Sequence, residues 1–149
     1  MSLKEKLQED WKCALKSKDK FKANVISMAK AAILQVEKTD GVKLNDEDII
    51  GVLAKEVKQR REALVEFEKG NRQDLVESAN AEINILMSYL PQQLTEDEIR
   101  IIVKDAADSV GASNMKDMGK VMSALMSKVK GRADGSLVSK LVKEFLNNK

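Results

Sequence analysis

Leucine, isoleucine, valine, methionine and alanine recur at three- and four-residue intervals from Leu3 to Leu146, and a single proline, Pro91, interrupts the series. This spacing stacks apolar groups along one side of a helix with 3.6 residues per turn. No segment keeps the two-residue alternation of a half-buried strand, so an all-α fold is expected. Aromatic residues make up only 3% of the 149 residues, and the core must therefore be aliphatic and filled out by methionine, a flexible side chain that adapts to irregular gaps.

The apolar stripes and the turn residues between them mark seven helices. The first two are expected at about 2 to 17 and 20 to 38, ended by Thr39-Asp40-Gly41. A third runs from Asp46 to about Lys69, entered through Asn45 and its acidic first turn and closed at Gly70-Asn71 by a left-handed cap. A fourth carries Leu75, Val76, Ala79, Ile83, Leu86 and Leu90, and Pro91 ends it because the residue before proline is pushed out of helical geometry. Then Leu94-Thr95-Glu96-Asp97-Glu98-Ile99 reads as a capping box, with Thr95 as cap, Glu98 three residues on and Leu94 stapled to Ile99. It opens a fifth helix that Gly111 closes. A sixth is expected from Met115 to Lys130 and a seventh from 135 to 147. The division falls at Pro91: residues 1–91 form an N-terminal four-helix part, and 92–149 a compact three-helix domain.

What the chain lacks narrows its chemistry. It has no histidine and one cysteine, Cys13, so histidine-ligated metals, Cys-His or Ser-His-Asp nucleophiles and internal disulfides are excluded. Glu96, Asp97 and Glu98 sit where a helix dipole favours negative charge and are structural in this reading. No catalytic residue, metal ligand or cofactor site is assigned. No apolar run approaches the roughly 18 residues of a membrane span. The opening MSLKEKLQED carries charges where a secretory signal has its apolar stretch, and a cytoplasmic address is expected.

Charge nearly balances overall, at 26 basic and 24 acidic side chains, yet its distribution is uneven. From residue 111 onward Lys116, Lys120, Lys128, Lys130, Arg132, Lys140, Lys143 and Lys149 face only Asp117, Asp134 and Glu144. On a continuous sixth helix, at about 100° per residue, Lys116, Ser123, Lys120, Ser127 and Lys130 fall within about 80° of one another, opposite the Met/Val/Leu stripe. Such a face can meet phosphate oxygens through charge and hydroxyl donors; it is also what an ordinary solvated helix face looks like. The following Lys130-Gly131-Arg132-Ala133-Asp134-Gly135 turn can cradle an anion or simply join two helices, with Asp134 as cap. Gly119, within the helix, is attributed to close helix packing rather than to a docking partner.

The strings Met115-Lys116-Asp117-Met118-Gly119-Lys120-Val121-Met122 and Lys130-Gly131-Arg132-Ala133-Asp134-Gly135, with Lys55-Glu56-Val57-Lys58-Gln59-Arg60-Arg61 and Tyr89-Leu90-Pro91-Gln92-Gln93-Leu94, resemble the GatB/YqeY family over nearly the whole chain. Ser127 departs from the proline common at that position. The resemblance implies kinship with the tail of the amidotransferase B subunit and a tRNA link. The ATP-, Mg²⁺- and glutamine-dependent chemistry of that enzyme belongs to parts absent here. The expected function is thus a noncatalytic module binding tRNA or structured RNA through Lys116, Lys120, Lys130, Gly131 and Arg132, without DNA or membrane as partners. Two alternatives stand beside it: a helical adapter for a protein partner in translation, with Lys55, Lys58, Arg60 and Arg61 as rim charges, and a component of glutamine-dependent carbon–nitrogen ligase activity.

Overall fold

A computed structural model describes residues 1–148, and among them it contains α-helices and no strand. The helices are α1 (Leu3–Lys16), α2 (Lys20–Asp40), α3 (Asp46–Lys69), α4 (Gln73–Met87), α5 (Glu96–Val110), α6 (Met118–Val129) and α7 (Gly135–Asn147), with a 3₁₀ turn, Met115–Asp117, ahead of α6. The all-α expectation holds. The chain divides into two compact units, Met1–Leu90 and Pro91–Lys149.

In the first unit the periodic positions converge as Leu7, Val25, Ile26, Ala29, Ile33, Ile49, Leu53, Val57, Ile83, Leu86 and Tyr89, all buried. Capping side chains set the helix starts. The Ser2 hydroxyl accepts from the Glu5 N–H, and Asn45 and Asp48 form a reciprocal capping box at the head of α3. The Leu3 N–H donates to the Asp46 carboxylate at 3.0 Å, which ties the start of α1 to that of α3. Glu37 binds the Lys4 ammonium at 2.6 Å and accepts the Leu44 N–H at 2.8 Å. Those two donors, the lysine first, hold its carboxyl below the usual range.

One helix end follows the expected Gly70-Asn71 pair and another differs from expectation. The left-handed residue after α3 is Asn71, at φ 54°, while Gly70 lies at φ −85°. Asparagine tolerates that conformation better than other residues with a β-carbon, because its short polar side chain can bond locally. α4 stops at Met87, ahead of Pro91, since the N–H groups of Ser88, Tyr89 and Leu90 bond three residues back and tighten the last turn. This turn seats Tyr89 in the core, where its hydroxyl donates to Asp10 at 2.5 Å and Lys6 lies 5.5 Å from the ring centre.

The second unit packs α5, α6 and α7 around Ile99, Val103, Ala107, Val121, Leu125, Val138, Leu141 and Val142. The capping box forms as expected. Thr95 Oγ1 accepts the Glu98 N–H at 3.2 Å, the Glu98 carboxylate accepts the Thr95 N–H at 3.3 Å, and Leu94 and Ile99 join the same core. No helix is long and apolar enough to cross a membrane among the described residues.

Candidate nucleic-acid interface

The sixth element is not one continuous helix. Lys116 sits in the 3₁₀ turn, where Asn114 caps its N–H at 2.9 Å, and α6 proper begins at Met118. The break changes the angular relation between Lys116 and the residues that follow, because a 3₁₀ turn advances about 120° per residue. Its cause is Asp117. The Asp117 carboxylate turns back to accept the Ser113 N–H at 2.9 Å and makes no capping bond to α6. That amide donor, together with others nearby, holds the Asp117 carboxyl below the usual range. Asp117 Oδ1 also comes within 3.9 Å of Lys120 Nζ. The lysine is therefore partly offset by a carboxylate.

Along α6 the division between core and solvent follows the apolar stripe. Val121, Leu125 and Val129 are buried, whereas Lys120, Ser123, Ser127 and Lys130 are exposed, as is Lys116 before them. None of the ion pairs among the described residues involves Lys116, Lys130 or Arg132. The five candidate residues fall into two groups, Lys116 with Lys120 at the head of α6 and Lys130 with Gly131 and Arg132 at its foot. Ten residues of helix put Lys120 and Lys130 about 15 Å apart along the axis.

The turn at the foot is built into the fold. Gly131 is buried and adopts φ 73°, a left-handed conformation that a residue with a β-carbon takes up at a cost of about 1–2 kcal/mol. Its carbonyl accepts Gln93 Nε2 at 2.8 Å, the Arg132 carbonyl accepts the Leu94 N–H at 2.8 Å, and Arg132 Nε donates to the Gln92 carbonyl at 3.3 Å. The Arg132 and Ala133 N–H groups both bond to the Val129 carbonyl, so neither points outward as an anion donor. Asp134 caps α7 through the Ser136 N–H at 3.2 Å, in the role read from the sequence. What the turn offers is the half-buried Arg132 side chain, held through Nε, rather than the backbone amides of Arg132 and Ala133. Sequence reasoning does not find the Gln92–Leu94 partner segment, although each of the two strings is distinctive by itself.

Two further expectations are revised. Gly119 is the second residue of α6, and a β-carbon built there meets nothing within 4 Å, so no helix packs against it. Arg60, read as a rim charge of α3, is held inside the first unit. Its side chain is only 11% exposed, and it bonds Glu56 on its own helix at 2.8 Å and approaches Glu82 of α4 at 3.7 Å. In the second unit, the groove of about 440 Å³ between α5 and α7 has Val103, Leu141 and Phe145 in its wall, but Arg100 on its rim is paired with Glu96 and Glu144.

Comparison with known proteins shows what the chain is similar to. A family model described as Yqey-like protein matches residues 4–146. A protein of Pyrenophora tritici-repentis named altered inheritance of mitochondria protein 41, mitochondrial, is 33% identical over 147 residues, covering 97% of this chain and 81% of the relative. Its namesake in Lachancea thermotolerans is 29% identical over 93% of this chain and 79% of its own. The glutamyl-tRNA(Gln) amidotransferase E subunit of Saccharolobus solfataricus is 34% identical over 116 residues, which cover 71% of this chain and 17% of that much longer protein. The mitochondrial names overturn the cytoplasmic expectation. Its weakness is physical: a charged amino terminus argues only against an apolar secretory leader, whereas mitochondrial targeting segments are themselves charged and amphipathic.

Proposed function

Because the chain belongs to the Yqey-like protein family, we propose that it is a noncatalytic accessory module that binds tRNA or another structured RNA through the outward face of α6. The observation that carries this reading is the row of exposed Lys120, Ser123, Ser127 and Lys130 on the side of α6 away from its buried stripe, with Lys116 exposed in the 3₁₀ turn ahead of it. The similarity to part of an enzyme named for glutamyl-tRNA(Gln) supports the choice of RNA. Two cationic groups about 15 Å apart, with hydroxyls between them, suit a phosphate backbone followed along a groove better than one compact anion. Arg132, half-buried and with Nε engaged by the Gln92 carbonyl, adds a cation in the turn at the foot of the row. Such contacts read the shape of the RNA and little of its sequence.

Titration of tRNA at several salt concentrations tests the proposal. Three or four neutralised phosphates give a slope of log affinity against log salt of about −3. The combined Lys116→Glu, Lys120→Glu and Lys130→Glu variant is expected to flatten that slope and to lose most of the affinity while keeping its helical circular dichroism. Full affinity in the folded variant would remove the α6 face from the proposal.

A further inference from the structure

The corner between α1 and α2 gathers positive charge that the fold leaves unpaired. From Trp11 to Val36 the chain carries Lys12, Lys16, Lys18, Lys20, Lys22 and Lys30, and Asp19 is the one acidic residue of that stretch. Lys12, Lys16, Lys18 and Lys20 are exposed, and none of the ion pairs among the described residues involves them or Lys22. Asp19 is already engaged, because its carboxylate caps α2 by accepting the Lys22 N–H at 3.1 Å. Two large apolar side chains stand among these cations. Leu15, in the last turn of α1, is 50% exposed, and Phe21, in the first turn of α2, is 41% exposed.

The backbone at the apex points the same way. α1 ends in a left-handed cap, in which the Asp19 N–H bonds to the Ala14 carbonyl at 2.9 Å and the Lys18 N–H to the Leu15 carbonyl at 3.2 Å. Glycine is the usual residue at the left-handed position of such a cap, yet here it is Lys18, at φ 63°. A lysine adopts that conformation at an energetic cost, and it places one more cation at the tip. An outlier of this kind points to a role outside the fold's own stability. We propose that the corner docks on an anionic phospholipid surface, with the lysines among the headgroups and Leu15 and Phe21 dipped beneath them. The apolar pair decides between polyanions. A nucleic acid would engage the lysines but gives an exposed leucine little to bury against, whereas a bilayer interface takes cations and apolar groups at once. No helix among the described residues is long and apolar enough to cross a membrane, and docking at a surface requires none. The sequence expectation of no membrane partner weighs spanning segments alone and so leaves this corner out.

The test is co-sedimentation of the full chain with vesicles of phosphatidylcholine alone and of phosphatidylcholine mixed with phosphatidylglycerol. Binding to the mixed vesicles only, weakening as salt is raised, is expected. Replacing Lys16 and Lys20 together by glutamine should weaken it about 25-fold, at about fivefold for each lysine near the surface. Lys18→Gly removes a charge while relieving the backbone, so its loss of about fivefold should come without loss of stability in urea. Leu15→Ser is expected to weaken vesicle binding about tenfold and to leave tRNA binding unchanged. A chain that fails to sediment with the mixed vesicles overturns the proposal, as do corner variants that sediment like the parent. Corner variants that lose affinity for tRNA but not for vesicles would assign the lysines to nucleic acid and overturn it as well. The combined Lys116→Glu, Lys120→Glu and Lys130→Glu variant is expected to keep its vesicle binding, so the α6 reading and this one fail separately.

Discussion

Tyr89 carries an unusual share of the first unit's specificity. It is buried, its hydroxyl donates to Asp10 at 2.5 Å, and that bond joins the end of α4 to the middle of α1. Burial first, and the Asp10 carboxylate second, hold the phenol's pKa well above its usual value. The folded chain therefore keeps the phenolic proton more tightly than the unfolded chain. The resulting stability is whole below the unfolded phenol's pKa of about 10 and is lost as pH rises beyond it. Tyr89→Phe is expected to cost about 1.5 kcal/mol in urea denaturation at pH 8, and the difference from the parent should shrink above about pH 10. Gly131→Ala is expected to cost about 1–2 kcal/mol through its left-handed backbone alone. Urea melts should show that loss with no change in helical content.

At the scale of elements, much is legible in the sequence because local chemistry decides helix ends. The Thr95–Glu98 box, the Asn45 cap and the Asp134 cap are each readable from a few neighbouring residues, and each forms. Thr95→Ala is expected to lower the stability of the second unit by about 1 kcal/mol, seen as a lower midpoint in thermal circular dichroism. Where expectation and structure part, a side chain has two uses for its oxygen atoms. Asp117 can cap α6 or bind back to Ser113, and its choice of Ser113 breaks the expected helix at Met118 and moves Lys116 into a tighter turn. Helix propensity alone suggests a packing role for Gly119. At the second position of α6, with open space beside it, it has no such role. The contacts of Gln92–Leu94 with Gly131 and Arg132 join residues about 40 positions apart, which helical periodicity does not register.

At the scale of the whole molecule, Ile49 and Ile99 belong to separate buried clusters with no shared members. Ile49→Val and Ile99→Val are each expected to cost about 1 kcal/mol, and in combination to add to within about 0.5 kcal/mol. Global urea unfolding of the two single variants and the double would measure it, and a large excess would mean energetic coupling that the two clusters do not predict. The exposed lysines of α6 lie in the second unit, whereas the residues of α2 exposed between Phe21 and Gln35, in the first, are all uncharged. Net charge, near zero for the chain as a whole, conceals both.

The Leu94 amide precedes its helix in sequence, a place where protons normally trade quickly with solvent, yet it donates to the Arg132 carbonyl at 2.8 Å. In deuterated buffer it should be labelled as slowly as amides deep in α5, and Gly131→Ala should speed it without hastening the amides of α1. The same clasp fixes the root of Arg132 before any ligand arrives, so little ordering of that backbone remains to be done when one does.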